Sequence, residues 1–277
     1  METLVERLGF PADTRYLIVN CDDLGMCHSV NEGVFDALRN GVATSASLIV
    51  PGPWAKEAVQ RDAGDDVGVH LTLNAEFDIY RWGPITQAPS LLGGDGGFPS
   101  TVEDVWDHAD LDEVRRELRA QVERALEWGF DITHLDSHMG ALQLRAEFFD
   151  VYLDLAVEFA LPIRLSGARS EALVGFPFRS LAAAEGVLSP DHLIVPPAGG
   201  ARATFERLID ELRPGVTEIF LHPATDHAEL RSLMSTWPER VDDHRLLCSE
   251  PEVRERIEAA GVVLGGWRAL RDLQRSR

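Results

Sequence analysis

The sequence predicts an α/β fold, a distorted (β/α) barrel of the TIM type, and three observations carry this prediction. The chain has 277 residues, which is a usual length for one such barrel. Eight short apolar runs recur along it, and stretches with helical periodicity separate most of them. Because strands that alternate with helices pair in parallel, we expect a parallel sheet within a single domain over residues 1–277.

The eight apolar runs are the predicted strands. They are short and β-branched, and they lie at 16–20, 47–50, 67–73, 132–135, 162–165, 192–195, 218–221 and 262–265. The clearest predicted helix is 111–128, which has an apolar face that includes Leu118 and ends before Gly129. Another helix begins at Ser29, which we interpret as its N-cap, and extends to residue 40. The remaining predicted helices span 147–160, 202–212 and 250–260.

A doubly wound nucleotide-binding sheet would show the same alternation, so the loop after the first strand distinguishes the two folds. Nucleotide-binding versions place a glycine-rich, phosphate-binding loop there. This chain has CDDLGMC at 21–27 instead, and its two carboxylates would repel a phosphate. The loop therefore favours the barrel.

The composition limits the partners of the protein. A formal net charge of −20 repels nucleic acid and anionic lipid surfaces, and no apolar stretch reaches the roughly 20 residues that a bilayer requires. The N-terminal residues lack the pattern of a secretory signal, so we expect a cytoplasmic protein. The three cysteines, Cys21, Cys27 and Cys248, form no CxxC pair, and we interpret them as apolar fillers.

The segment 74–110 is a long connection after the third predicted strand. It is rich in glycine and proline, it carries several aromatic residues, and it is longer than an ordinary loop. We predict a lid-type insertion here. Its aromatic side chains either form a platform for a sugar or pack the segment onto the rim of the barrel, and the sequence leaves both interpretations open.

Polar residues concentrate at the carboxyl ends of the predicted strands. In a barrel these ends lie on one face, where active sites are built. The candidates are Asp22, Asp23, His70, His134, Asp136, His138, Arg164 and His222. The remaining histidines, which include His244, lie in polar or loop contexts and are interpreted as surface residues.

Two imidazoles and a carboxylate are a suitable ligand set for a divalent cation, with positions left for water and substrate. His70, His138 and one of the paired aspartates supply that set, and the other aspartate is a candidate base. His134, Asp136 and His138 also lie on one side of an extended strand. The pattern predicts a catalytic metal that lowers the pKa of a water molecule.

Each of these residues also has an interpretation without a function. The pair Asp22 and Asp23 can cap a helix or form a turn. His70 can be a buried histidine of the core, and His222 can be held by the proline turn that follows it. Their combination at one face of the fold favours the metal site.

Four ordered motifs carry a family resemblance. They are NCDDLG followed by SVNEGVFDALRNGVATSASLIV, then VGVHLTL, then THLDSHMG, then LHPA. The chain resembles the YdjC-like carbohydrate deacetylases, the family of chitooligosaccharide deacetylases. The resemblance implies a distorted (β/α) barrel and a mononuclear metal used to remove acetyl groups from N-acetylated sugars.

The resemblance also implies a role for each site residue. The implied metal ligands are Asp23, His70 and His138. Asp22 is the implied base, His222 would protonate the leaving amine, and Arg164 would orient the base or adjust its charge. Asp136 is suited to orient a histidine ligand, which is the usual role of a carboxylate beside a metal-bound imidazole.

The chain departs from the family pattern after the second of the two predicted histidine ligands. Family members commonly continue the HxDSH motif with further histidines, whereas Met139, Gly140 and Ala141 stand here. Cys21 and Leu24 replace the alanine and phenylalanine that are usual at their positions. The ligand set is retained, and the altered tail lies where the substrate is expected.

The predicted function is a metal-dependent hydrolase that removes an acetyl group from an N-acetylated sugar or oligosaccharide with metal-activated water. Two alternatives stay open: a metal-dependent phosphoesterase or other amide or ester hydrolase, and a sugar-binding barrel without catalysis. The expected cofactor is one divalent cation, Zn²⁺ or Mg²⁺, with Mn²⁺, Fe²⁺, Co²⁺ and Ni²⁺ also compatible. The expected partner is a small N-acetylated sugar, and the sequence is compatible with a homodimer.

Overall fold

The computed structural model describes residues 2–276, and within this range a parallel sheet of seven strands is covered by helices. The strands are β1 (Arg15–Leu24), β2 (Ser45–Leu48), β3 (Val67–Leu71), β4 (Leu135–Ser137), β5 (His192–Ile194), β6 (Gly215–Leu221) and β7 (Val263–Leu264). The helices are α1 (Leu4–Arg7), α2 (His28–Arg39), α3 (Ala55–Arg61), α4 (Val102–His108), α5 (Leu111–Glu127), α6 (Ala146–Glu158), α7 (Ala168–Val174), α8 (Phe178–Ala184), α9 (Ala201–Glu211), α10 (Ala228–Leu233), α11 (Trp237–Cys248), α12 (Pro251–Ala259) and α13 (Trp267–Arg275).

The longest strand, β1, lies in the middle of the sheet. The strand order is β4-β3-β2-β1-β6-β5, and β7 pairs with β1 at Tyr16 and Leu17. Every pairing is parallel, which confirms the predicted α/β class and the parallel sheet. Because all these strands belong to one sheet, we retain one domain over 1–277 as a prediction, with residues 1 and 277 outside the described range.

The prediction of eight strands is wrong at one run. The run at 162–165 forms a single bridge, between Leu135 and Ile163. Pro162 has no N–H for a further ladder bond to β4, and the N–H of Ile163, which faces away from β4, donates to the carbonyl of Leu188 outside the named strands. Within residues 2–276, β4 and β5 are therefore the two edge strands of the sheet. Over this range the sheet does not close into an eight-stranded barrel.

The predicted cap of α2 is also wrong, and the reason is a tertiary contact. The N-cap residue is Cys27, whose side chain makes no cap hydrogen bond. Ser29 lies in the first turn, where its N–H and its hydroxyl donate to Glu229 Oε2 at 3.1 and 3.2 Å. A carboxylate from α10 thus accepts a hydrogen bond from one of the N–H groups at the start of α2 that have no partner within the helix.

The other predicted helices correspond to α5, α6, α9 and α12 within two residues at each end. In α5 the side chain of Asp110 accepts hydrogen bonds from the N–H groups of Asp112 and Glu113 at 3.0 and 3.1 Å. Gly129, with a φ of 94°, follows the helix in the left-handed conformation that glycine adopts without steric cost. Local signals therefore define both ends of this helix.

The segment 74–110 packs on the fold. Trp82 and Phe98 are buried, and the hydroxyl of Tyr80 donates to the carbonyl of Met26 at 2.9 Å. Glu117 of α5 accepts hydrogen bonds from the N–H and the hydroxyl of Thr86 at 2.9 and 2.6 Å. These contacts agree with the interpretation of the aromatic residues as packing groups, and a lid role for the segment stays a prediction.

Among residues 2–276, none of the helices has both the length and the apolar character needed to cross a membrane.

Candidate metal centre

A cavity of about 460 Å³ lies at the carboxyl ends of the strands. All six residues predicted for the site line it, although they come from distant parts of the sequence. They are Asp22 and Asp23 in β1, His70 in β3, His138 after β4, Arg164 after the bridge at Ile163, and His222 after β6. The parallel sheet therefore gathers the predicted residues at one end, as expected for this class of fold.

Asp22 and Asp23 are neighbours in β1, yet both line the cavity. In a regular strand consecutive side chains point to opposite faces. Here the pairing of β1 with β2 shifts register between Cys21 and Leu24, and Asp23 has a φ of 69°. Such a left-handed residue costs about 1–3 kcal/mol, and strain of this kind concentrates at functional sites. The irregularity brings both carboxylates to the cavity.

Three potential metal ligands meet in this cavity. Oδ1 of Asp23 lies 3.5 Å from Nε2 of His70 and 3.3 Å from Nδ1 of His138. One donor atom from each of the three residues lies within 4.8 Å of the other two, and all three residues are buried. This arrangement is compatible with one shared divalent cation.

The hydrogen bonding of Asp23 tests whether these residues fit a cation. Oδ2 accepts a hydrogen bond from Nη2 of Arg240 at 2.7 Å, whereas the buried Oδ1 has no hydrogen-bond partner. A buried carboxylate oxygen without a partner is costly. A cation at Oδ1 would satisfy it, so the residues present fit the metal that the sequence predicts.

A second set of donors, formed by Asp22, His70 and Asp136, also lies within 4.8 Å. The guanidinium of Arg164 bonds to both oxygens of Asp22 and approaches Oδ2 of Asp136 to 3.0 Å. Because this positive charge would repel a cation, the set that contains Asp23 is the better ligand set.

Each of the two imidazoles contacts a carboxylate through its other nitrogen. Nδ1 of His70 lies 2.7 Å from Oδ1 of Asp136, and Nε2 of His138 lies 3.0 Å from Oε2 of Glu76. Such contacts fix the orientation of the ring and the nitrogen that is free to bind, as is usual for histidines that ligate metals. The geometry agrees with the orienting role predicted for Asp136 toward His70. Glu76, which was not predicted, makes the corresponding contact with His138.

The carboxylates also determine the charge of the imidazoles. Burial would lower the pKa of His70, but Asp136 and Asp22 together outweigh it, and the pKa lies above its usual value. Burial is likewise outweighed at His138, where Glu76 contributes most to raising the pKa to about 10. The carboxylates thus stabilise the protonated form of both imidazoles, and a cation would compete with those protons.

Arg164 is a buried guanidinium that contacts three carboxylates. Its Nη1 and Nη2 atoms donate to the two oxygens of Asp22 at 2.7 and 2.8 Å. Its Nε donates to Glu218 at 2.9 Å, and its Nη1 lies 3.0 Å from Asp136. The guanidinium also lies over the ring of Phe220, 4.7 Å from the ring centroid. A single guanidinium is thus the cation that contacts Asp22, Asp136 and Glu218.

The acids around Arg164 do not carry charge equally. Burial would raise the pKa of Asp22, but Arg164 and His70 outweigh it, so that the pKa lies below its usual value and the carboxylate is ionised at neutral pH. Burial dominates at Glu218 and raises its pKa to about 7. Of the two carboxylates Asp22 and Glu218, Asp22 is therefore the one that is fully ionised at neutral pH, with both oxygens held by Arg164.

His222 lines this cavity and also borders a second cavity, of about 410 Å³. Its backbone N–H donates to Oδ2 of Asp243 at 2.9 Å, and its ring meets that of Phe220 edge to face. Burial lowers the pKa of His222, so that the neutral imidazole is the major form at neutral pH. The imidazolium, where it forms, is correspondingly the stronger acid.

His134 does not take part in this site. Its ring stacks on Trp267 with 4.5 Å between centroids, and the residue is fully buried. Burial lowers the pKa of His134 to about 3, so the ring is neutral. It belongs to the core.

Three residues of the site network lie outside the predicted set: Glu76, Glu218 and Arg240. Glu218 has a local signal in the sequence, because Glu218 and Phe220 alternate along β6 in step with His222, the residue that follows the strand. Arg240 lies in α11 and Glu76 lies in the 74–110 segment, where no strand end marks them. Only the tertiary structure brings these two to the cavity.

The fold and the site together define an α/β protein with a buried Asp-His-His cluster beside a carboxylate held by arginine. The YdjC-like protein family matches residues 16–259 of the chain. A carbohydrate deacetylase of Thermus thermophilus is 38% identical over 276 residues, which cover 97% of this chain and 98% of that protein. A carbohydrate deacetylase of Geobacillus stearothermophilus is 34% identical over 260 residues, with 92% and 97% covered. This chain belongs to the YdjC-like protein family.

Solved structures share the fold. A protein of Enterococcus faecalis V583, provisionally named as a cellobiose-phosphate cleavage protein, superimposes with a TM-score of 0.82 at 26% identity, covering 93% of this chain and 99% of that one. A lactam utilization protein of Thermus thermophilus superimposes with a TM-score of 0.50 at 16% identity, covering 91% and 99%. The second likeness concerns the fold alone.

Proposed function

We propose that this chain is a metal-dependent deacetylase of N-acetylated sugars. The observation that carries the proposal is the meeting of His70 and His138 at the unpartnered Oδ1 of Asp23, beside the ionised carboxylate of Asp22. Membership of the YdjC-like family, and the relatives named carbohydrate deacetylase, support a sugar as the substrate and acetyl as the group removed.

Asp23, His70 and His138 would hold the cation. Asp136 and Glu76 keep the two imidazoles oriented for this task. When bound, a divalent cation supplies Lewis acidity, which lowers the pKa of water and polarises a carbonyl oxygen. Zn²⁺ and Mg²⁺ are the ions that we propose first, and the donor set also suits Mn²⁺, Fe²⁺, Co²⁺ and Ni²⁺.

Asp22 is the proposed general base. Its Oδ2 lies 4.0 Å from Nε2 of His70, so the carboxylate stands beside the ligand set. It would accept a proton from the attacking water while the water oxygen bonds to the amide carbon of the substrate. Arg164 is the proposed positioning residue for this base, because its two hydrogen bonds fix the carboxylate and favour the ionised form.

His222 is the proposed general acid. The carbon–nitrogen bond of the tetrahedral intermediate breaks as the nitrogen receives a proton from the imidazolium of His222. The products are acetate and a free amine on the sugar. The position of His222 supports this role, since it lines the same cavity as the base and also borders the second cavity.

The lining of the cavity includes an apolar side chain that suits a sugar ring. Met139 lines the cavity, is 55% exposed, and accepts a hydrogen bond at Sδ from Nδ2 of Asn74 at 2.9 Å. Such a side chain offers a surface for the carbon face of a sugar. We propose that the 74–110 segment, which carries Asn74, borders the bound sugar and acts as its lid.

Elemental analysis of the purified protein, combined with an acetate-release assay on short N-acetylglucosamine oligomers, tests the proposal. We expect one cavity-bound cation per chain, acetate and free amine in equal amounts, and loss of activity with a chelator that added metal restores. An Asp23→Asn protein is the control that lacks the cavity-bound cation. Metal-containing protein that hydrolyses an aryl phosphate and releases no acetate would favour the phosphoesterase, and saturable oligomer binding without turnover would favour the sugar-binding barrel.

Two further predictions from the sequence stay predictions: a cytoplasmic location and a homodimer.

A further inference from the structure

A second cluster of metal-ligating side chains lies between α2 and α11, outside the cavity. It consists of Asp36 in α2 and of His244 and Cys248 in α11. One donor atom from each residue lies within 4.8 Å of the other two, and Nε2 of His244 lies 2.7 Å from Oδ2 of Asp36. The sequence interpretations of His244 as a surface residue and of Cys248 as an apolar filler do not account for this meeting.

The helix geometry favours joint binding by these side chains. His244 and Cys248 are four residues apart in α11, so they lie on the same face of the helix. Two ligands at this spacing on one helix are a known way to hold zinc. Asp36 faces them from α2, which packs against α11, and its other oxygen accepts a hydrogen bond from Asn40 at 2.7 Å. That bond orients the carboxylate toward α11.

The donor chemistry indicates which cation would bind. Imidazole nitrogen, thiolate sulfur and carboxylate oxygen suit Zn²⁺ and Co²⁺, whereas Mg²⁺ prefers oxygen ligands alone. In a tetrahedral zinc site the donor atoms lie roughly 3.2–3.7 Å apart, so Asp36 and His244 would separate by about half an ångström. A water molecule would complete the coordination.

The cluster is accessible for such an ion. The side chain of His244 is 17% exposed and that of Asp36 is 38% exposed, and Cys248 is partly buried. Cys248 is therefore neither sealed in the core nor fully solvated. The strongly acidic chain, with a net charge of −20, adds a general attraction for cations.

We propose that Asp36, His244 and Cys248 form a second metal site, selective for Zn²⁺ or Co²⁺ over Mg²⁺, that fastens α2 to α11. The site would support the first one, because α2 follows the strand that carries Asp23, and α11 carries Arg240, which donates to Asp23 at 2.7 Å. The proposal does not depend on the deacetylase activity.

Metal titration of the full-length protein tests this site. Co²⁺ bound to a thiolate gives a near-ultraviolet charge-transfer absorption, and the cavity ligand set contains no sulfur. We expect this absorption in the unmodified protein and in Cys27→Ser, and its loss in Cys248→Ser and His244→Gln. We also expect each of these two variants to bind one zinc equivalent fewer per chain, and a Mg²⁺ titration to leave the Co²⁺ signal in place.

The controls separate metal binding from folding. The amide introduced by His244→Gln can still donate to Asp36, so the interhelical hydrogen bond is retained without the imidazole. We expect the metal-free variants to unfold near the same temperature as the unmodified protein, and Zn²⁺ to raise that temperature more for the unmodified protein and Cys27→Ser. Equal zinc content in all four proteins, together with no thiolate absorption, would overturn the proposal and leave an ordinary interhelical hydrogen bond. The test measures the difference in zinc content between the unmodified protein and Cys248→Ser. That difference is the same whether or not the cavity binds metal.

Discussion

Oε2 of Glu76 lies 3.0 Å from Nε2 of His138, on the far side of the imidazole from the nitrogen that faces Asp23. Asp136 contacts His70 in the corresponding way, at 2.7 Å. One of these two carboxylates belongs to the sheet and the other to the 74–110 segment. The segment predicted as a lid therefore also orients one of the proposed metal ligands.

Replacing Glu76 by glutamine should weaken cation binding. The amide cannot hold the imidazole as firmly as the carboxylate does, and loss of such a contact typically lowers metal affinity roughly 10–100-fold. Competition with a chromophoric chelator measures the effect. Asp78→Asn, an exposed change of the same charge two residues away, should leave the affinity unchanged. Equal affinity of Glu76→Gln and the unmodified protein would show that Glu76 does not orient His138.

Much of the site could be predicted because strand ends are visible in the sequence. Asp22, His70, Arg164 and His222 each follow or end an apolar run, and parallel strands place such residues together. The alternation in HLDSH likewise predicts that Asp136 and the proposed ligand His138 share one side of the strand. His134, which the same pattern places with them, lies in the core instead. These are local patterns whose consequence in three dimensions follows from the fold class alone.

Other features depend on tertiary structure. The register shift that brings both Asp22 and Asp23 to the cavity involves the pairing of β1 with β2 and a left-handed φ at Asp23. Arg240 reaches Asp23 from a helix 217 positions along the chain. The apolar run at 162–165 carries the pattern of a strand, but its pairing is limited to one bridge. No local pattern reveals the register shift or the contact of Arg240, whereas Pro162 is a local signal against a full strand at 162–165.

Asp22→Asn should lose turnover and keep the metal. An asparagine fills the same space but cannot accept the proton, and the loss of a general base typically costs roughly 10²–10⁴-fold in rate. Acetate release and metal content, measured on the same sample, check this. Asp23→Asn, which removes a proposed ligand, should lose the cavity-bound metal and its activity with it. If Asp22→Asn lacks the cavity-bound ion while Asp23→Asn retains it, the two roles are exchanged.

Arg164→Met should destabilise the fold strongly. The change leaves three buried acids without their cation, and the removal of one partner from a buried ion pair costs about 3–5 kcal/mol. Arg115→Met is the surface control, because Arg115 pairs with Asp154 where both side chains are about half exposed, and such pairs contribute about 0–1 kcal/mol. Urea unfolding compares the two. Similar losses in both variants would contradict the central role of Arg164.

Asp243 should make stability depend on pH. Burial raises the pKa of Asp243 to about 6, above the usual value of 3.8. Between these values the folded protein holds a proton that the unfolded chain has released, so this residue's contribution to stability is complete below about pH 4 and is lost as pH rises through about 6. The expected loss is about 2–3 kcal/mol, from about 1.4 kcal/mol per pKa unit.

Asp243→Asn isolates this effect. The asparagine can still accept the N–H of His222, which Asp243 accepts at 2.9 Å, but it does not titrate. Urea unfolding in the presence of a chelator, from about pH 4 to pH 7, should show the variant gaining stability relative to the unmodified protein as pH rises. A constant difference across this range would mean that Asp243 titrates normally.

Anomalous diffraction at the zinc edge, from crystals of the zinc-loaded protein, tests the proposed metal centre most directly. We expect a peak in the cavity about 2.0–2.2 Å from Oδ1 of Asp23, Nε2 of His70 and Nδ1 of His138. A cavity without a peak, or a peak bound instead by Asp22 and Asp136, would contradict the ligand set and the roles of base and ligand that follow from it.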